Sequence, residues 1–176
     1  PELTSIPGSE TPSGYEVAGK VTAIRHDGAK VIVDLGGGWG GDALKHLAQN
    51  GVDAVGYMGV QPSMKRTRDG QLHFTNVRTE AYWRFREALD PYTREGSPIM
   101  LPPDRELLAD LTAPRYITKS GPRGMTIQLE SKADLVKRMK RSPDKGDAVV
   151  MAWWAGEKAI TDLDAWKAKA PRSFNR

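Results

Sequence analysis

The chain of 176 residues contains no cysteine. This absence excludes a disulfide-stabilised scaffold, a cysteine-ligated zinc finger and a cysteine nucleophile. Long hydrophobic runs are missing too, since none approaches the roughly 20 residues that span a bilayer, and the N-terminal residues lack the basic, apolar and small-residue regions of a signal peptide. We therefore expect a protein that is not secreted and has no membrane partner. The first residue is Pro1 rather than an initiator methionine, which predicts an excised or processed piece.

An excess of charge of one sign is also missing, because 26 basic residues face 22 acidic ones for a net charge of +4. The distribution along the chain is nevertheless uneven. Residues 1–60 hold four basic and seven acidic side chains, whereas residues 115–145 hold nine basic and three acidic ones. A basic segment of this kind forms either a phosphate-binding face or an ordinary solvated helix face.

The pattern of apolar and turn-forming residues favours a single α/β domain, with its core at about residues 10–155 and a tail at 156–176. The predicted elements are a short strand near residues 3–6, a helix from Ser13, a strand at 30–35, a helix capped by Asp42, a strand at 54–57, a short strand at 72–74, a helix at 79–89, a short helix after Asp104, a hairpin at 116–129, a basic helix at 134–140, a helix from Ser142 and a tail helix from Ile160. The first strand–helix–strand unit predicts a parallel pair. Its apolar strand at 30–35 suits a strand buried on both faces.

Asp34 lies at the carboxyl end of this apolar strand and opens onto the glycine-rich segment GGGWGG at 36–41. Open α/β sheets bind ligands at the carboxyl ends of their strands, and Mg²⁺ or Mn²⁺ takes carboxylate oxygens. The alternative is an aspartate that only caps the loop. The glycines formally match a dinucleotide-binding pattern, but the acidic residue expected after the next strand is missing. We expect the glycines instead to let a large substrate approach Asp34.

The segment SPDKGDA at 142–148 places two further carboxylates at the start of a helix. Asp144 and Asp147 are three residues apart and share a helix face. Asp144 suits a simple interaction with the helix dipole. Asp147 precedes an apolar run, so it lies at the edge of a buried face and requires a partner or a metal.

A run of cations precedes Asp147 and suits a phosphodiester substrate, since cations steer the backbone and stabilise developing charge. The alternative is a solvated helix. Together with three cations of the loop at 61–71, the candidate DNA-binding residues are Lys65, Arg66, Arg68, Lys132, Lys137, Arg138, Lys140 and Arg141.

An ordered set of segments along residues 10–155 resembles the nuclease domain of the large terminase subunit of tailed phages and related viruses. The segments are VIVD at 31–34 with the glycines at 36–41, F-x-N-x-R at 74–78 followed by Tyr82-Trp83, LPxD at 101–104, residues 127–132, RSPD at 141–144 and Asp147-Ala148. The resemblance implies an RNase H-like mixed sheet flanked by helices, with a C-terminal insertion of a hairpin and a helix. It also implies a metal-dependent DNA endonuclease that cuts concatemeric viral DNA during packaging.

The resemblance assigns roles residue by residue. Asp34 matches the metal-binding acid of the middle catalytic strand, and Asp147 matches the acid of the last catalytic helix. Asp144 matches a nearby position with a supporting role, and Lys132 matches a basic position near the metals. The family's first catalytic aspartate, in the pattern D-x-A-x-x-G-x-D, has no counterpart in residues 1–33. The first strands are therefore expected upstream of Pro1, which would leave an unpaired sheet edge.

The resemblance further implies a two-metal site of Mg²⁺ or Mn²⁺ on Asp34 and Asp147 with Asp144, and double-stranded DNA as the substrate. The expected partners are an ATPase domain of the same motor, the portal and the small terminase subunit, in the cytoplasm of the infected host cell. Two alternatives stay open. One is a non-catalytic DNA-binding or motor-docking fragment, which the missing first aspartate favours, and the other is an RNase H-like junction resolvase.

Overall fold

The first structural unit is a parallel pair of strands joined by a helix. In this computed structural model, which describes residues 3–38, 40–92, 97 and 99–155, strand β1 is Val31–Asp34, helix α2 is Gly40–Gln49 and strand β2 is Ala54–Tyr57. Val31 lies opposite Ala54 and Asp34 lies opposite Tyr57 in parallel register. The predicted parallel strand–helix–strand unit is therefore confirmed.

The other elements follow the predicted order closely. They are helix α1 at Gly14–Ile24, strand β3 at His73–Phe74, helix α3 at Val77–Leu89, helix α4 at Arg105–Thr112, strand β4 at Tyr116–Gly121, strand β5 at Gly124–Leu129 and helix α5 at Lys132–Met139, with helix α6 described over residues 144–155. Helices α3, α4 and α5 begin after side-chain caps from Asn76, Asp104 and Ser131. Such caps satisfy a backbone N–H that the helix itself leaves unpaired.

The strands form two small sheets instead of the single mixed sheet that the resemblance implies. Strands β1 and β2 make one sheet, and the order β3-β5-β4 makes the other, with β3 parallel and β4 antiparallel to β5. The α/β class is confirmed at this coarser level. Strand β3 has only two residues and pairs with β5 rather than with β1 or β2.

Three local expectations are wrong. Residues 3–6 have an irregular conformation rather than that of a strand. Helix α2 begins two residues before Asp42, whose carboxylate instead accepts a 3.1 Å hydrogen bond from the Gly14 N–H. Strand β1 is expected to be fully buried, but Val31, Ile32 and Val33 are only half-buried, although apolar side chains pack against both faces of the strand. The predicted tail helix from Ile160 lies outside the described residues.

Two apolar clusters hold these elements together. The larger one packs Tyr57 of β2 against Ala81, Tyr82 and Phe85 of α3 and Val150 of α6. The smaller one joins α1, α2 and the start of β2 through Ala18, Leu47 and Val52. The larger cluster positions the site, because it fixes α3 and α6 against the end of β2.

Within the described ranges, none of the helices combines the length and apolarity needed to cross a membrane.

Candidate active site

Asp34 is the last residue of β1, and its side chain is exposed where the strand ends. Its Oδ1 atom accepts a 2.8 Å hydrogen bond from the backbone N–H of Gly36. Gly37 and Gly38 have φ angles of 82° and 89°, which side chains rarely tolerate. The loop therefore needs glycine for its own backbone shape as well as for access to Asp34.

Gly40 begins helix α2 in direct contact with the end of β1. A Cβ atom at this position would come within 2.0 Å of the Asp34 carbonyl oxygen and 3.1 Å of a Val33 methyl group. Only glycine permits such an approach. The structure thus adds a packing role to a glycine that the sequence assigns to substrate access.

Asp147 lies near the start of α6, and its side chain is only 13% exposed. The Tyr82 hydroxyl donates to its Oδ1 atom at 2.6 Å. The Lys132 ammonium forms an ion pair with its Oδ2 atom at 2.8 Å. A carboxylate so far withdrawn from water is stable only with partners of this kind, as the apolar run after Asp147 leads one to expect.

Both carboxylates line a single cleft of about 480 Å³, which we call the Asp34–Asp147 cleft. The ends of β1 and β2 form one wall, and α3, α6 and the β5–α5 connection form the rest. Lys132 and Glu130 line the same cleft. The fold thus brings together an exposed carboxylate, a buried carboxylate and a cation from distant parts of the chain.

The hydrogen bond from Tyr82 to Asp147 has a fixed direction. Burial raises the pKa of Tyr82 well above its ordinary value of 10, and the negative charge of Asp147 raises it further. The phenol therefore keeps its proton at neutral pH and serves as a donor to the carboxylate. This bond holds Oδ1 of Asp147 in place.

Arg78, on the first turn of α3, is a site residue to which the sequence pattern gives no role. Its Nη1 atom donates to the Glu130 carbonyl oxygen at 2.8 Å, and its Nε atom lies 3.9 Å from Oδ1 of Asp147. Its Nε and Nη2 atoms are buried and have no hydrogen-bond partner within the described part of the chain. The F-x-N-x-R segment at 74–78 contains this arginine, and its closeness to Asp147 appears only in the folded chain.

The start of α6 is anchored to α4 through a fully buried carboxylate. Asp110 accepts a 3.1 Å hydrogen bond from the Gly146 N–H and pairs with Arg141 at 2.6 Å. Lys145 pairs with Asp104 and Glu106 at 2.8 Å each. These contacts fix the turn of helix that carries Asp147.

Asp144 does not join the other two aspartates. It is exposed at the start of α6, where the Ser142 hydroxyl donates to its carboxylate. It is not among the residues that line the Asp34–Asp147 cleft. Its position suits the alternative interpretation, a favourable interaction with the helix dipole.

Of the eight candidate DNA-binding residues, Lys132 alone lines the cleft in the described structure. Arg138 makes a two-point ion pair with Glu130, and Arg141 is committed to Asp110. The loop residues Lys65, Arg66 and Arg68 are exposed, as are Lys137 and Lys140 of the basic segment. The structure therefore separates the basic segment into cations that brace the fold and cations that face solvent.

The chemistry of the cleft fits part of a divalent-cation site. Asp34 and Asp147 supply hard oxygen donors of the type that Mg²⁺ and Mn²⁺ prefer. Glu130 also lines the cleft, but the Arg138 guanidinium holds its pKa below the ordinary value of 4.5 and occupies its oxygens. Among the described residues, no three His, Asp or Glu side chains cluster closely enough to hold a metal ion.

Comparison with known proteins found no match for the chain among family models, curated proteins or solved structures.

Proposed function

We propose that this chain is the nuclease domain of a viral large terminase subunit, a metal-dependent endonuclease that cuts concatemeric DNA during genome packaging. One observation carries the proposal. Asp34 and Asp147, chosen from the sequence as metal-binding acids, line the same cleft with Lys132 and Arg78. A pair of carboxylates with two cations beside them suits a phosphodiester bound through a divalent ion.

In this proposal Asp34 and Asp147 would hold Mg²⁺ or Mn²⁺ through their carboxylate oxygens. A bound ion supplies an activated water and stabilises the leaving oxygen. Tyr82 keeps Asp147 oriented through its 2.6 Å hydrogen bond. Arg78 and Lys132 place positive charge next to the position of the phosphate, where it opposes the charge that develops during cleavage.

The proposal extends to the partners of such a motor. Double-stranded DNA is the substrate, held by the exposed cations of the loop at 61–71 and of α5. An ATPase domain, the portal and the small terminase subunit are the protein partners, in the cytoplasm of an infected host cell. These partners are inferred from the sequence resemblance alone.

The direct experiment is nicking of supercoiled plasmid DNA in Mn²⁺ by the purified chain. Asp34→Asn and Asp147→Asn should each reduce nicking to the level of a protein-free reaction, because each removes a charged ligand. Asp144→Asn is the matched control, since Asp144 lies outside the cleft, and it should keep most of the activity. Undiminished nicking by either cleft variant would contradict the proposal.

A second candidate is a DNA-binding or motor-docking fragment without catalytic activity. It is favoured by the lack, in residues 1–33, of a counterpart to the first catalytic aspartate of the family that the sequence resembles. Salt-sensitive binding of duplex DNA without nicking in Mn²⁺ would select this function.

A further inference from the structure

The Lys132 ammonium lies on the carboxylate of Asp147, inside the cleft where a divalent cation would bind. The carboxylate uses Oδ1 for the Tyr82 hydroxyl and Oδ2 for the Lys132 ammonium. Both oxygens are therefore engaged before any divalent ion arrives. Each carboxylate oxygen keeps a second lone pair, so a divalent cation can still reach Asp147, but there it would meet the positive charge of the Lys132 ammonium beside Oδ2.

The two donors differ in how easily they can leave. Tyr82 is buried in the larger apolar cluster, with 8% of its surface exposed. Lys132 keeps 45% of its side chain exposed, so its ammonium can return to water more easily than the buried Tyr82 hydroxyl can.

The position of Lys132 in its helix also weakens its ion pair with Asp147. Lys132 is the first residue of α5, directly after the capping Ser131. The N-terminal end of a helix carries a partial positive charge, which disfavours a cation there. The contact with Asp147 compensates for this repulsion, and a divalent cation bound to Asp147 would weaken that compensation.

We propose that Lys132 is an exchangeable counter-ion of Asp147, which leaves Oδ2 when a divalent cation enters the Asp34–Asp147 cleft. This inference rests on the proposed function. The ammonium neutralises a carboxylate that is only 13% exposed and whose other cationic neighbour, Arg78, lies farther away at 3.9 Å. Once a divalent cation neutralises Asp147 instead, the flexible Lys132 side chain is released beside the cleft. Its ammonium can then donate a hydrogen bond to a phosphate oxygen.

The test is Mn²⁺ binding measured by isothermal titration calorimetry, without DNA. Lys132→Gln should bind Mn²⁺ about fivefold or more tightly than the unsubstituted chain, because the ion no longer displaces an ion pair. Lys132→Arg keeps the positive charge and should stay within about twofold of the unsubstituted chain. Lys119→Gln is the matched control, since it removes the same charge from an exposed position outside the cleft, and it should leave the affinity unchanged.

The outcomes separate this inference from the proposed function. Equal or weaker Mn²⁺ binding by Lys132→Gln, with a thermal midpoint like that of the unsubstituted chain, would mean that Lys132 only braces Asp147 and would overturn the inference. If that variant does not fold, Lys132→Met takes its place with the same expectation. Mn²⁺ binding that survives unchanged in Asp147→Asn would instead remove the metal site on which the proposed function depends.

Discussion

Asp34 and Asp147 face one cleft from walls that are built in different ways. The Asp34 carboxylate is exposed, and its described hydrogen bond comes from the backbone of its own loop. The Asp147 carboxylate is mostly buried and engages Tyr82 and Lys132, with Arg78 close by. The wall that carries Asp34, which we call the Asp34 wall, depends on backbone packing and glycine. The wall that carries Asp147, which we call the Asp147 wall, depends on charged side chains.

This difference indicates that the two halves of the site respond to different perturbations. Backbone crowding should disturb the Asp34 wall, since α2 starts in contact with the end of β1. Loss of a hydrogen bond or a change of pH should disturb the Asp147 wall, which is assembled from polar contacts. Substitutions can therefore test each wall separately.

The largest effect is expected for Gly40→Ala. The new methyl group would meet the Asp34 carbonyl oxygen at 2.0 Å, and overpacking of this kind lowers the free energy of unfolding by about 3 kcal/mol. Gly41→Ala is the matched control, because a Cβ atom there has no neighbour within 4 Å. It should raise stability by about 0.5 kcal/mol through helix propensity. Urea unfolding of the two variants measures both changes, and equal effects would show that the Asp34 wall does not depend on this close contact.

A smaller effect is expected for Tyr82→Phe. This change removes the 2.6 Å hydrogen bond to Asp147, and a hydrogen bond to a charged group contributes about 1.5 kcal/mol or somewhat more. Tyr92→Phe serves as the control. Because Tyr92 is 95% exposed, loss of its hydroxyl group should leave the stability of the protein unchanged. Urea unfolding at neutral pH distinguishes them. Indistinguishable midpoints for the two variants would mean that the Asp147 wall does not need this donor.

The smallest effect is expected in the acid sensitivity of protein stability that comes from the Glu130–Arg138 ion pair, which lies beside the Asp147 wall. Hydrogen bonds from Arg138 hold the pKa of Glu130 below its ordinary value of 4.5. A lowered pKa in the folded state stabilises the fold above pH 4.5, and this stabilisation is lost as the pH falls through the lowered pKa.

Replacing the arginine should remove this contribution. Arg138→Gln should bring the pKa of Glu130 in the folded protein closer to 4.5. The stability of this variant should therefore decrease less steeply as the pH is lowered below 4.5. Lys137→Gln should keep the slope of the unsubstituted chain, because Lys137 is an exposed neighbour in the same helix. Thermal midpoints measured between pH 3 and pH 7 provide the test, and identical slopes in all three proteins would argue against this ion pair as a source of acid sensitivity.

Most local structure could be predicted from the sequence because its signals are local. Asp104 caps α4 by accepting a hydrogen bond from the Leu107 N–H, as short polar side chains commonly do. Gly51 ends α2 with a φ of 71°. The hairpin of β4 and β5 follows from two β-prone segments around a tight turn. Each of these features depends on neighbours a few residues away.

Sheet assembly could not be predicted in the same way. The prediction of one mixed sheet comes from the sequence resemblance, whereas the described strands form two sheets. Similarly, an apolar strand pattern predicts burial, but β1 has one partner strand among the described residues and stays half-buried. Pairing depends on which strands meet in space, and single-strand patterns do not encode this.

The sequence by itself determined the types of residue at the site: a carboxylate after an apolar strand, another before an apolar helix, and a basic segment between them. Only the tertiary structure decided which of these side chains meet. It placed Asp34, Asp147 and Lys132 in one cleft, left Asp144 outside, and committed Arg138 and Arg141 to ion pairs with Glu130 and Asp110. The physical reason is that a charge pattern gives the identity of each ion, whereas its partner depends on contacts between elements that are distant in the sequence.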